Sequence, residues 1–68
     1  MKNENYGAPI ERGVIEEIEN GAYKVRSYTR YGITSRPIKP ATEGDYAIGD
    51  KVFFCLFPDG DGLILAKM

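Results

Sequence analysis

The 68 residues include no histidine, no tryptophan and a single cysteine, and no apolar run is longer than the six residues 52–57. Each absence closes a class of function. Without histidine the usual general base near neutral pH is missing. One cysteine cannot bridge within the chain, and a structural zinc wants four Cys or His ligands, so no disulfide, metal or cofactor is expected. Six apolar residues fall far short of the roughly 20 that cross a bilayer. The opening Met1-Lys2-Asn3-Glu4-Asn5 lacks the apolar stretch of a secretory signal. The expectation is a cytoplasmic protein with no membrane partner and no small-molecule substrate.

Catalysis is equally hard to stage. Cys55 has neither an imidazole partner nor a helix N-terminus to lower its pKa, and within Phe53-Phe54-Cys55-Leu56-Phe57 it reads as a small packed hydrophobe. Glu16 and Glu17 are adjacent, and on a strand they point to opposite sides, so they cannot converge as an acid–base pair. With no nucleophile–base pair in view, an enzyme is not expected. Asp59-Gly60-Asp61-Gly62 resembles the opening of a calcium loop but lacks the further oxygen ligands and the bidentate Glu. Pro58-Asp59-Gly60 between two apolar runs reads as a turn.

What the chain does have is enough apolar residues to collapse: Ile, Leu, Val and Phe make up 16 of 68, above the roughly 20% below which chains remain disordered. A chain of this size buries only about 60% of its unfolded surface, so a partner subunit is the remaining source of extra stability.

Turn signals are regular. Gly-containing pairs at Asn20-Gly21, Tyr31-Gly32, Gly44-Asp45, Gly49-Asp50 and Asp59-Gly60 separate short β-branched and aromatic segments, the pattern of a small all-β sandwich or barrel. Asn20-Gly21 suits a type I′ turn, which needs φ > 0 at both central residues. Such a turn sets Ile18 opposite Tyr23, Glu17 opposite Lys24, Glu16 opposite Val25 and Val14 opposite Ser27. Val14, Ile18, Tyr23 and Val25 then share an apolar face, and Glu16 falls among them, either at its rim or moved aside by a bulge. The spacing of Ile10, Val14 and Ile18 also fits a helix, but Gly13 and the β-branched pair Val14-Ile15 favour a strand.

Four further strands are predicted at 22–29, 33–38, 51–57 and 63–67. Pro37 lacks an N–H, which ends the third or puts it at an edge open to an added peptide strand. In the long connection 39–50, Tyr46 and Ile48 are expected to tuck inward. The fourth strand carries Val52, Phe54 and Leu56 on one face and Phe53, Cys55 and Phe57 on the other, so it needs cover on both sides. That cover comes from the 39–50 loop, the N-terminal arm or another chain, and in the last case Phe53 and Phe57 are the candidate protein interface.

Charge is unevenly distributed. Residues 1–20 carry a net −3, residues 21–40 a net +5 and residues 41–68 a net −3. Lys24, Arg26, Arg30 and Arg36 alternate with Tyr28 and Tyr31 in the basic block. Cations with flat rings on one sheet face are what single-stranded nucleic acid requires, and these six residues are the candidate nucleic-acid face. The alternative is that the acidic flanks pair with them.

The arrangement Gly13-Val14, Tyr23-Lys24-Val25, Tyr46-Ala47-Ile48-Gly49-Asp50-Lys51-Val52 and Gly62-Leu63-Ile64-Leu65 resembles small OB-like or SH3-like β-barrel modules, particularly those of baseplate and tail proteins of bacteriophages and prophage-like elements. The resemblance implies a non-catalytic assembly module that contacts neighbouring subunits, and a virion component if the chain is phage-encoded. The expected architecture is a flexible arm over residues 1–11 followed by one five-stranded antiparallel barrel over 12–68. It acts through protein contacts, self-association included, or alternatively binds single-stranded nucleic acid.

Overall fold

A computed structural model describes residues 9–68, and these residues form an all-β fold with no helix among them. Five strands make one sheet: β1 (Glu11–Glu19), β2 (Ala22–Ser27), β3 (Lys39–Pro40), β4 (Lys51–Leu56) and β5 (Gly62–Lys67). Their order is β2-β1-β4-β5-β3. The expected arm lies, for residues 1–8, outside the described residues.

The first hairpin forms around the predicted turn, with Asn20 at φ 49° and Gly21 at φ 80°. Nearest the turn the pairing is as expected, Ile18 with Tyr23 and Glu17 with Lys24. Beyond it a bulge at Glu16 shifts the ladder by one, so that Ile15 faces Val25 and Val14 faces Arg26. A one-residue shift exchanges the two faces of a strand. Ile15 therefore enters the core in place of Val14, which is half-buried on the other side, and Ile18 is exposed. The bulge also takes the carboxylate of Glu16 out of the apolar interior.

The predicted third strand at 33–38 is corrected. This segment touches β2 through isolated bridges at Tyr23–Ile38 and Arg26–Thr34. Two features interrupt the ladder. The Val25 N–H donates to Ser35 Oγ (2.9 Å), a side chain in place of a carbonyl, and Pro37 has no N–H to offer. The regular strand instead comes later, at β3, and runs parallel to β5 through Lys39–Leu63 and Pro40–Ile64. The sheet is thus mixed, not wholly antiparallel.

The core consists of Ile15, Tyr23, Val25, Ile38, Val52, Phe54 and Ile64, with Tyr46 and Leu56 packed against it. Each fully buried aliphatic or Phe side chain contributes about 1.5–3 kcal/mol. Tyr46 enters as expected, meeting Tyr23 edge-on at 5.4 Å between ring centroids. Ile48 does not: it is 65% exposed on the approach to the turn at Gly49. Gly13 sits where β1, β2 and β4 meet. A Cβ there would lie 2.6 Å from the Arg26 carbonyl oxygen and 2.7 Å from Phe54 Cε1, so the strands approach this closely only because the position carries no side chain.

Candidate functional site

Lys24 and Arg26 project from the outward side of β2, and both meet carboxylates of β1. Lys24 Nζ lies 3.4 Å from Glu17 Oε1 and 3.5 Å from Glu19 Oε2. The charge of Glu17, then that of Glu19, raises the Lys24 pKa above its ordinary value. Arg26 Nε lies 2.9 Å from Glu16 Oε2, and Thr34 Oγ1 donates to Glu16 Oε1 at 3.0 Å. The bulge that ejected Glu16 from the interior thus delivers it to Arg26. Pairing of the basic block with its acidic flank holds for both cations of β2.

Arg30 is paired as well, within a tighter cluster that the sequence pattern did not disclose. Glu11, its side chain only 10% exposed, accepts from Ser27 Oγ (2.8 Å), Thr29 Oγ1 (3.2 Å), Arg30 Nε (3.1 Å) and Arg30 Nη2 (2.7 Å). Ser27 Oγ in turn accepts from the N–H groups of Thr29 and Arg30. Burial alone would raise the Glu11 pKa. The hydrogen bonds from Ser27 and Arg30, the Arg30 charge and the Thr29 hydroxyl outweigh it and hold the carboxyl below its usual range. Such fork-like pairing with a guanidinium is directional as well as strong. It anchors the loop after β2, whose tip presents Tyr31 wholly exposed and Tyr28 about half exposed. Tyr28 lies one residue beyond the end of β2, its N–H donating to the Arg12 carbonyl (2.9 Å). Arg36, the last residue of the candidate nucleic-acid set, sits over the turn at Gly60, with its guanidinium carbon 2.9 Å from where a Cβ would be.

A second surface lies on the outward side of β1, β4 and β5. Phe53 faces Arg12 on β1 and Ala66 on β5. Lys51 faces Val14, and Cys55 faces Leu63. A bulge in the β4–β5 ladder past Phe53 leaves Leu65 as the extra residue. Phe53, Val14, Leu63 and Leu65 are half-buried, Cys55 is buried, and Arg12 and Lys51 are exposed. Phe57 follows the end of β4 in the adjoining turn and is 36% exposed. Of the two candidate interface residues, Phe53 thus lies within the strand and Phe57 one residue beyond it. Leu63, Leu65, Arg12 and Lys51 were not singled out from sequence, because their neighbourhood depends on β1 finding β4 across more than thirty residues.

The turn at 57–62 forms as predicted. Gly60 N–H donates to the Phe57 carbonyl (2.9 Å) and Phe57 N–H to the Asp61 carbonyl (2.7 Å). Asp59 and Asp61 each accept from backbone within the turn, from Asp61 N–H (3.0 Å) and Gly62 N–H (2.8 Å). Among the described residues no group of three His, Cys, Asp or Glu converges as a metal site, and no helix is long and apolar enough to cross a membrane. An open groove of about 690 Å³ lies beside the first turn, lined by Gly21, Tyr23, Lys39 and residues 40–45. Lys39, Glu43 and Asp45 bring charges of both signs to it.

No family model, no curated protein and no solved structure matches the chain.

Proposed function

We propose that the protein is a non-catalytic interaction module that docks on a partner protein, in an assembly role of the kind its phage-module resemblance implies. The observation that carries this reading is the contrast in charge pairing. The cations of β2 are neutralised by β1 carboxylates, whereas the β4–β5 face offers Phe53, Leu63 and Leu65 side by side. A contact centred on Phe53 and extending to Phe57 in the adjoining turn removes this apolar surface from water.

The architecture belongs to the same proposal. β1, β2 and the 33–40 segment follow one another in space, and β4 returns by the long connection to lie beside β1, a Greek-key order. One segment touches both margins of the sheet, bridging to β2 at Thr34 and Ile38 and joining β5 at Lys39 and Pro40. These relations support a partly open OB-type barrel over an SH3-like one.

Site-specific photocross-linking tests the docking surface whatever the identity of the partner. With Phe57→p-benzoylphenylalanine in the native host, a covalent protein adduct is expected, and with the same group at Lys24 none. Adducts absent at position 57, or equally abundant at both, count decisively against the reading. The rival, single-stranded nucleic-acid binding through Lys24, Arg26, Tyr28, Arg30, Tyr31 and Arg36, draws support from the wholly exposed ring of Tyr31. It requires chemical-shift changes along β2 when oligo(dT) is added at low salt. None are expected, because the phosphates would have to displace Glu11, Glu16 and Glu17.

A further inference from the structure

The outward face of β1, β4 and β5 has a charge signature that its apolar centre alone does not reveal. Where β1 pairs with β4 its outward residues are Arg12 and Val14, joined by Lys51, Phe53 and Cys55 of β4 and Leu63, Leu65 and Ala66 of β5. None of these is acidic; Glu17 and Glu19, outward at the other end of β1, pair with Lys24. Arg12 is directly opposite Phe53 and Lys51 directly opposite Val14, so the two cations flank the apolar centre along successive rows. Among the described residues neither forms a salt bridge, whereas Lys24, Arg26, Arg30 and Lys67 all do. The four carboxylates of β1 have other partners: Glu11 binds Arg30, Glu16 binds Arg26 and Thr34, and Glu17 and Glu19 bind Lys24.

We infer that this face receives a partner segment that is apolar at its centre and acidic at its margins, the carboxylates meeting Arg12 and Lys51 while apolar side chains cover Phe53, Leu63 and Leu65. The inference rests on the reading of this face as the docking surface and adds the chemistry of the occupant. Complementary charges at the rim of an apolar contact steer encounter and exclude wrong partners more than they add affinity. The partner's charge sign should therefore respond to these two residues, and its need for apolar groups to Phe53. A like-charged partner would leave both cations desolvated and unpaired.

The test is selection from a random 12-residue peptide library on the immobilised full chain, with the composition of the enriched peptides as the readout. Wild type should enrich apolar peptides of net negative charge. The double variant Arg12→Glu/Lys51→Glu, both positions exposed and so tolerant of change, should shift the enriched set to net positive charge. Circular dichroism confirms that each variant is folded. Phe53→Ser should abolish enrichment, with Leu63→Ser as the second apolar variant should Phe53→Ser fail to fold. Enrichment that depends on Phe53 but shows no charge bias overturns the inference and leaves the docking surface standing. Enrichment indifferent to Phe53 and Leu63 overturns the docking surface itself, and absence of any enrichment overturns the inference. Vesicles of phosphatidylserine supply the remaining arm: binding to them that the double variant abolishes, without peptide selection, assigns the face to an anionic lipid surface and overturns the peptide occupant.

Discussion

The outward side of β2 and the outward side of β4 belong to one sheet and both border β1, yet they meet solvent in opposite ways. On β2, Lys24 and Arg26 are each held by a carboxylate one strand away, and the loop that follows is tied down through Glu11. On β4, Phe53 has apolar neighbours on β5 and a cation on β1 that forms no ion pair among the described residues. The first surface satisfies its polar groups internally and has little to gain from a partner. The second has an apolar centre and a charge that no ion pair satisfies among the described residues. A basic stretch in a sequence is therefore a poor guide to a binding surface until the positions of the nearest carboxylates are known.

The largest expected effect falls on Gly13, where the two surfaces meet. Gly13→Ala forces a Cβ against the Arg26 carbonyl and the Phe54 ring. It should cost about 2–3 kcal/mol and lower Tm by roughly 10–20 °C in a thermal melt followed by circular dichroism. An unchanged Tm would show that β1 can move away from β2 and β4, and that the surfaces are not rigidly joined.

Next comes Glu11→Gln, which leaves Arg30 without its carboxylate and should cost about 1–2 kcal/mol at neutral pH. The folded-state pKa of Glu11 is depressed, so its ionised form stabilises the fold fully above the ordinary glutamate value. That contribution is lost as pH falls through the lower folded value. The gap between wild type and Glu11→Gln should accordingly stay constant from neutral pH down to the ordinary range and close below it. A gap independent of pH would locate the effect in packing instead.

A smaller effect, but one aimed directly at the contrast, is expected of the triple variant Glu16→Gln/Glu17→Gln/Glu19→Gln. Removing the carboxylates that hold Lys24 and Arg26 should make the β2 side bind oligo(dT) at low salt, with affinity falling steeply as salt rises. Fluorescence anisotropy would detect it. If wild type binds as well as the variant, the pairing does not silence this surface. The smallest effect belongs to Lys24→Gln alone. Its pairs are solvent-exposed, so Tm should move by no more than about 2 °C and the change should fade in 0.5 M NaCl.

Local chemistry in the sequence carried much of the fold. Asn20-Gly21 specified the first turn and the pairing next to it, and Pro58-Asp59-Gly60 the last turn. The apolar run at 52–57 marked a strand with apolar residues on both faces, of which Val52 and Phe54 line the core. The failures are equally specific. The bulge that Glu16's place on the apolar face suggested is present, but its consequence, the reversal of the faces of Val14 and Ile15, was not drawn from the pattern. Ser35 and Pro37 broke the ladder at 33–38, and the parallel pairing at 39–40 depends on β5, more than twenty residues ahead. Of the proposed sites, Lys24, Arg26 and Arg30 were found where a basic block would put them, but paired. Phe53 was found on a surface whose other members, Arg12, Lys51, Leu63 and Leu65, come from three strands.

Composition and turn chemistry by themselves determined an all-β chain whose strands are short and separated by glycine turns, since those constraints act within a few residues. Which cations are neutralised within the described residues, and which are not, was decided only by the tertiary structure. Ion pairs and apolar faces are made across strands, and one bulge at Glu16 is enough to redirect a carboxylate from the interior to Arg26.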